Sequence, residues 1–192
     1  KVPVEKLNSF TEKNHQGAVA FVAEISYSNI SDIIPTLYEA GKTPLIVALD
    51  GVTDIRNFGA ISRTCECAGV DAILLPSYCS ATINADAVKT SAGALHYLPV
   101  CRTDNLCQAI KFLKNSGFTI IALSEKANIA YTDQDYSSPT VLVLGAEDRG
   151  ISSEVLSLCD SKVKIPVLGK IESLNVSVAA GIVIYEAVKS RQ

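Results

Sequence analysis

Short continuous apolar runs alternate with amphipathic segments along most of this chain. The continuous runs are typical of strands buried on both faces, and apolar residues spaced three and four apart indicate helices. The predicted strands are 18–25, 45–49, 72–75, 95–100, 118–123, 140–144 and 162–165. The predicted helices are 30–40, 57–68, 84–91, 104–114, 152–158 and 175–190, and 127–139 is a predicted loop. This order predicts an α/β fold, a mostly parallel sheet with helices on both faces.

Two polar residues mark where the predicted helices begin. Asn57 opens the helix 57–68, and Asp104 is the expected N-cap of the helix 104–114. Pro35 falls inside the helical pattern of 30–40, where it removes a backbone donor. The last helix, 175–190, is apolar nearly all round. That pattern indicates a helix that is central to the core or shared with a second subunit.

Three stretches place polar side chains where a predicted strand passes into a loop. They are 50–64, 145–150 and 165–175, and the third breaks at Pro166 and Gly169 before the last helix. In an open α/β sheet, ligands bind beyond the carboxyl ends of the strands. We therefore expect the three loops to meet at one site.

Each stretch also has an ordinary structural interpretation. Gly145 and Gly150 suit a strand-to-helix turn, and Ser173 and Asn175 suit a helix cap. Arg63 suits a solvated surface charge, or alternatively a fixed cation for a phosphate or a developing alkoxide. The chain has no G-x-G-x-x-G and no G-x-x-x-x-G-K-[ST] motif. A dinucleotide fold or a phosphate loop is therefore disfavoured.

Composition narrows the function classes. The chain has 192 residues and a formal net charge of −3, so any contact with RNA has to be local. Its six cysteines form no C-x-x-C and no His pair completes a zinc set, so we expect no metal and small buried thiols in a reducing cytosol. No apolar run approaches the roughly 20 residues of a membrane span. We expect a cytoplasmic protein without a membrane partner.

Taken together, the three stretches resemble the signature motifs of the SpoU-type (TrmH-like) RNA ribose 2′-O-methyltransferases of the SPOUT superfamily. The first motif is 57–64 (Asn-Phe-Gly-Ala-Ile-Ser-Arg-Thr), the second is 142–147 (Leu-Val-Leu-Gly-Ala-Glu), and the third comprises 165–169 and 173–179. The similarity covers about residues 44–190. Two positions depart from the usual motifs: Ile55 stands where proline often follows Asp54, and Asp148 where glycine often follows Glu147.

Residues 15–20 (His-Gln-Gly-Ala-Val-Ala) also resemble the linker of the branch that methylates guanosine in large-subunit rRNA. In that branch a small RNA-binding domain precedes the linker. The resemblance thus implies an arm or linker over 1–43 and a catalytic domain over 44–192, with a deep trefoil knot at its C-terminal end. It also implies a homodimer and a structured RNA substrate, rRNA rather than tRNA.

The resemblance further implies S-adenosylmethionine as the cofactor, held largely by main chain. The implied cofactor-binding residues are Leu144, Gly145, Ile165, Leu168, Gly169, Leu174, Asn175 and Val178. The implied catalytic residues are Arg63, Asn57, Glu147, Ser173 and Asn175.

The implied reaction places a methyl group on a ribose 2′-hydroxyl, which is a poor nucleophile. The three motifs contain no histidine, so Arg63 is the implied activator. A guanidinium holds its proton too firmly to be an ordinary base, so we expect Arg63 to stabilise the alkoxide and to anchor a phosphate. The alternatives are a tRNA methyltransferase, an antibiotic-resistance methyltransferase acting on the same rRNA, and a non-catalytic RNA-binding protein on the same fold.

Overall fold

Seven parallel strands form one sheet in the computed structural model, which describes residues 2–11, 14–19 and 25–191. The strands are β1 (Leu45–Asp50), β2 (Ala72–Pro76), β3 (Val100–Thr103), β4 (Thr119–Leu123), β5 (Ile129–Ala130), β6 (Thr140–Gly145) and β7 (Ser161–Lys164). Their order across the sheet is β3-β2-β1-β6-β4-β7-β5, and every pairing between them is parallel. The predicted parallel α/β sheet is confirmed.

Helices cover both faces of this sheet. The helices of the described residues are α1 (Val4–Asn8), α2 (Ile30–Glu39), α3 (Ile55–Cys67), α4 (Ala85–Thr90), α5 (Leu106–Asn115), α6 (Ser153–Leu156) and α7 (Val176–Lys189), and α1 buries no residue. Apolar residues of α3, α4 and α7 pack on one face, and those of α2, α5 and α6 pack on the other. No helix in the described ranges is long and apolar enough to cross a membrane.

Strand β1 contributes apolar side chains to the hydrophobic cores on both faces of the sheet. Leu45, Val47 and Leu49 point to the face that carries α3 and α7, while Ile46 and Ala48 point to the face that carries α2 and α5. All five are at most 3% exposed. Successive strand side chains point to opposite faces, so only a run without polar positions can be buried on both.

The predicted strand 95–100 is wrong in its first part. Leu95 and Leu98 are buried as expected, but Ala94–His96 is a short 3-10 turn that follows Gly93 in the left-handed region. The strand β3 begins only at Val100, after Pro99, which has no backbone donor for a ladder. The predicted loop 127–139 also contains the two-residue strand β5, which extends the sheet at its edge.

Two predicted helix starts move by two residues. Helix α3 begins at Ile55, because Asp54 and not Asn57 is its N-cap: the Asp54 carboxylate accepts from Asn57 N at 2.8 Å. In α5 the N-cap is Asn105 rather than Asp104. The competing polar residues are neighbours at Asp104 and Asn105 and three residues apart at Asp54 and Asn57, so the sequence pattern does not distinguish them.

The segment before β1 is only partly described. The predicted strand 18–25 lies largely outside the described residues. Helix α2 falls within the predicted arm 1–43, yet it buries Ile30 and Ile34 against the sheet in spite of its internal Pro35.

The strand order creates a switch point between β1 and β6. Asp50 and Gly145 are register partners at the ends of these neighbouring strands. From there the chain leaves β1 towards β2 on one side, whereas it leaves β6 towards β7 on the other. Diverging connections open a crevice at the carboxyl edge of a parallel sheet, which is where such folds bind ligands.

Candidate functional site

Three side chains from separate parts of the chain meet beside this crevice. Asn175 donates through Nδ2 to Oδ1 of Asn57 at 3.0 Å and to Oε1 of Glu147 at 2.6 Å. Asn57 lies in the first turn of α3, Glu147 follows β6, and Asn175 precedes α7. The hydrogen bonds thus join the three loops that the sequence analysis expects to converge.

Asn175 is also the N-cap of α7. Its Oδ1 accepts from the backbone N–H of Ser177 at 2.9 Å and of Val178 at 3.4 Å. This capping requires the oxygen, so the amide nitrogen is the atom that faces Asn57 and Glu147. Glu147 also accepts from Val176 N at 3.3 Å, which places its negative charge at the N-terminus of the helix.

The loop that carries Glu147 is held at both ends. A Cβ on Gly145 would overlap the backbone of Gly150 and Ile151, so only glycine allows this close approach. Ala146 and Gly150 exchange two backbone hydrogen bonds of 3.2 and 2.8 Å. The position of Glu147 is therefore set by the backbone on either side of it.

A second tie joins this loop to the end of β1. Asp50 accepts from both the backbone N–H and the hydroxyl of Ser152, each at 2.7 Å. The ends of β1 and β6 are thus joined by a side-chain link in addition to their last backbone pair, Asp50 and Gly145.

A cavity of about 290 Å³ opens beside the three linked side chains. Four of the predicted cofactor-binding residues line it, namely Leu144, Gly145, Ile165 and Leu174, and so do the predicted catalytic residues Glu147 and Ser173. The remaining predicted cofactor-binding residues are not on its lining; these are Leu168, Gly169, Asn175 and Val178. Leu168 is 98% exposed and points away from the core.

The cavity has the properties of an adenosine site. Leu144, Ile165 and Leu174 give it apolar walls. The backbone N–H and C=O groups of the adjoining loop 166–174 form no hydrogen bond within the described part of the chain. Apolar walls with free backbone donors and acceptors suit the flat, polar-edged adenine ring, so the residues present fit S-adenosylmethionine.

Arg63 and Ser173 remain outside the hydrogen-bonded group. Arg63 is exposed on α3, and neither side chain bonds another group in the ranges that the structure describes. Helix α3 packs against α7, so closely that a Cβ on Gly181 would reach van der Waals contact with Thr64. The guanidinium is therefore carried by a helix that is fixed to the site, with all of its donors available to a ligand.

The burial of the cysteines agrees only partly with the prediction. Cys65 and Cys101 are buried, whereas Cys67 and Cys79 are exposed, so the prediction of small buried thiols is wrong for these two. Burial raises the pKa of the Cys65 thiol, and burial together with nearby Asp32 raises the pKa of Cys101 to about 12. The buried thiols are thus neutral and unreactive. The described residues contain no cluster of His, Cys, Asp and Glu that could hold a metal.

Comparison with known proteins identifies the family. The profile of the SpoU rRNA Methylase family matches residues 44–185. The chain belongs to the SpoU methylase family. It is 33% identical to a putative TrmH family tRNA/rRNA methyltransferase of Staphylococcus saprophyticus, over 99% of this chain and 76% of the relative. It is 38% identical to an uncharacterized tRNA/rRNA methyltransferase of Synechocystis, over 97% of this chain and 49% of the relative.

Solved structures of SpoU proteins have the same fold. The SpoU methyltransferase AviRb of Streptomyces viridochromogenes, in complex with the cofactor AdoMet, superposes with a TM-score of 0.77 at 26% identity, covering 86% of this chain and 66% of that one. An AdoMet-bound rRNA methyltransferase of Sinorhizobium meliloti gives 0.76 at 30% identity, covering 85% and 61%. The A. aeolicus TrmH/SpoU tRNA modifying enzyme gives 0.71 at 36% identity, covering 84% and 83%.

Membership confirms the predicted enzyme class, an RNA methyltransferase of the SpoU/TrmH type, and S-adenosylmethionine as the cofactor of this class. The SpoU domain, residues 44–185, also contains three site features that the sequence motifs do not indicate. These are the Asp54 cap, the Asp50–Ser152 tie, and Arg149 on the cavity wall. The carboxylates Asp50 and Asp54, at the end of β1 and just before α3, are the sequence signal for the first two.

Proposed function

We propose that the SpoU domain transfers a methyl group to a ribose 2′-hydroxyl of RNA in the cytoplasm. The proposal rests on one observation: Asn57, Glu147 and Asn175 are hydrogen-bonded together beside a cavity that fits the methyl donor. When bound, S-adenosylmethionine supplies an electrophilic methyl group on its sulfonium.

The cavity residues hold the adenosine part of the donor. Leu144, Ile165 and Leu174 enclose the ring, and the free backbone groups of 166–174 bond its polar edge. The hydrogen-bonded group Asn57–Asn175–Glu147 keeps α3 and α7 at a constant spacing around the cavity. Such positioning allows the methyl group and the ribose oxygen to approach along one line.

Arg63 acts on the ribose. Its exposed guanidinium donates to the oxygen as negative charge develops there, and it also pairs with an adjoining phosphate. Ser173, on the cavity wall, is the hydroxyl placed to orient the ribose or the donor. The proton of the hydroxyl then leaves towards solvent or a nearby acceptor, because a guanidinium is a poor base.

The preferred RNA is large-subunit rRNA, with a guanosine as the target. The His15–Gly17 linker supports this choice, and His15 is at the start of a tight turn that Ala18 N closes onto His15 O at 2.9 Å. tRNA is the second candidate, because the A. aeolicus tRNA modifying enzyme is 36% identical and this chain spans 83% of it.

The function is tested by incubating the purified chain with radiolabelled S-adenosylmethionine and either 23S rRNA transcript or bulk tRNA. We expect label in the rRNA, within nucleotides that resist alkaline hydrolysis, since cleavage at a phosphate requires the neighbouring free 2′-hydroxyl. Label in alkali-sensitive nucleotides would contradict ribose methylation. Label in tRNA alone would favour the second candidate.

We further propose that the SpoU domain is a homodimer joined through α7, and that its last segment forms the trefoil knot of the family. Helix α7 buries one side in the core, with Val176, Ala180, Val183, Ile184 and Ala187. Its outer side is also apolar: Val178 is 51% exposed and Tyr185 is 52% exposed. Val178 and Tyr185 are seven residues apart, which places them on one side of α7. Large apolar residues exposed together on a helix suit an interaction site.

Light scattering in solution tests the dimer. The parent chain should have twice the mass of one chain, and Tyr185→Asp should have the mass of one, because a carboxylate on this surface would be buried without a partner. Tyr97→Asp is the matched control, because Tyr97 is 80% exposed outside α7; it should behave as the parent does. A monomeric parent at working concentration would rule out this interface.

A further inference from the structure

Arg149 is a cation on the cavity wall to which the proposed function gives no role. It lies on the loop between β6 and α6, and no hydrogen bond or ion pair of its guanidinium occurs in the described part of the chain. Its guanidinium packs directly over Gly51, at the end of β1: a Cβ on Gly51 would overlap it. Gly51 also has a φ of +78°, so a glycine is favoured here for two reasons.

The backbone around Arg149 is fixed before any ligand arrives. The Ala146–Gly150 hydrogen bonds close the loop on one side, and the Asp50–Ser152 tie anchors it on the other. The guanidinium contacts Gly51, while the side chain is exposed and its donors are unused in the described part of the chain. A guanidinium with free donors is suited to bind a carboxylate or a phosphate through two parallel hydrogen bonds.

The other charges on the cavity wall decide between these two anions. The charged residues that line it are Glu125, Glu147, Asp148 and Glu172, with Lys126 and Arg149. Carboxylates outnumber cations, so the wall disfavours a polyanion such as RNA. The same wall suits the sulfonium and ammonium of S-adenosylmethionine, whose one carboxylate then needs a cation.

We propose that Arg149 binds the carboxylate of the amino-acid part of S-adenosylmethionine. The inference rests on the proposed function, since it assigns a contact within the same cavity. Arg149 is thus a specificity residue that distinguishes the donor from adenosine compounds without an amino-acid part.

Isothermal titration calorimetry with two probes tests this assignment. S-adenosylhomocysteine retains the amino-acid part, whereas 5′-methylthioadenosine lacks it and retains the adenosine. Arg149→Ala should weaken binding of S-adenosylhomocysteine roughly 10- to 100-fold, the usual loss for a hydrogen bond to a charged group. Binding of 5′-methylthioadenosine should change less than about twofold. Arg149→Lys should bind S-adenosylhomocysteine with an affinity between those of the parent and Arg149→Ala, because an ammonium keeps the charge but lacks the two parallel donors of a guanidinium.

Lys111→Ala is the control, since Lys111 is an exposed lysine on α5 that does not line the cavity; it should leave both affinities close to those of the parent. Lys126→Ala, at the other cation on the wall, should weaken binding of S-adenosylhomocysteine less than Arg149→Ala does. A larger loss at Lys126 would overturn the assignment to Arg149. An equal loss of both probes in Arg149→Ala would show a structural role and overturn the proposal. Unchanged affinities for both probes would also overturn the proposal, and would mean that the Arg149 guanidinium contacts RNA or solvent instead of the donor. A parent chain that binds neither probe would overturn the cofactor assignment as well.

Discussion

Replacing Arg63 by alanine should lower methyl transfer about 100-fold or more, the usual loss when one donor to a developing oxyanion is removed. The fold and the affinity for S-adenosylmethionine should stay close to those of the parent, because Arg63 is exposed and does not line the cavity. Single-turnover transfer to RNA, the melting temperature and calorimetric affinity for the donor are the measurements.

The control for Arg63 is on the same helix. Arg56 is also exposed and precedes Arg63 by seven residues, which places the two on one side of α3. Arg56→Ala removes the same charge from that side, yet it should keep turnover within about threefold of the parent because a general surface charge contributes little. Equal losses in the two variants would mean that α3 merely attracts RNA. Parent-like turnover in Arg63→Ala would remove Arg63 from the mechanism.

Substitution of Asn175 should have the second large effect on methyl transfer. Two different substitutions separate its role as the N-cap of α7 from its role as a donor to Asn57 and Glu147. Serine is as good an N-cap as asparagine, but it has no amide to donate to Glu147 and Asn57. Asn175→Ser should therefore keep the melting temperature and lose roughly 10- to 100-fold in turnover, with weaker donor binding, since the bond to Glu147 is charge-assisted. Asn175→Ala should show the same losses and also about 1 kcal/mol less stability from the missing cap.

Thermal melts, calorimetry with S-adenosylmethionine and transfer assays on both variants make the comparison. If Asn175→Ser matches the parent in affinity and turnover, then Asn175 is a cap only and the hydrogen-bonded group has no catalytic importance. If both variants lose stability alone, the same conclusion holds. The decisive result is a variant that is stable and inactive.

The sheet and the approximate place of the site could be predicted because they depend on simple patterns. A strand buried on both faces requires an uninterrupted apolar run, as in β1 and β6. Parallel strands share one carboxyl edge, so polar loops after them gather there. This rule and the family resemblance together predict Asn57, Glu147 and Asn175 at the site, and the structure brings them within hydrogen-bonding distance.

The errors occur where several local solutions satisfy the same pattern. Leu95 and Leu98 are buried whether 95–100 is a strand or a turn, and only Gly93 and Pro99 favour the turn. Asp54 and Asn57 are both favourable N-cap residues, and in the folded chain Asp54 is the N-cap of α3. That choice matters for function, since it leaves the Asn57 side chain to accept from Asn175.

The sequence by itself determined the parallel α/β architecture, the three polar loops and, through its motifs, the family, because burial and backbone conformation act on neighbouring residues. Only the tertiary structure decided which groups meet. Insertion of β6 between β1 and β4 brings Asn57 to Asn175 across 118 positions and lays Arg149 over Gly51. Contacts between distant residues depend on strand order, and strand order is set by the packing of the whole domain rather than by any local pattern.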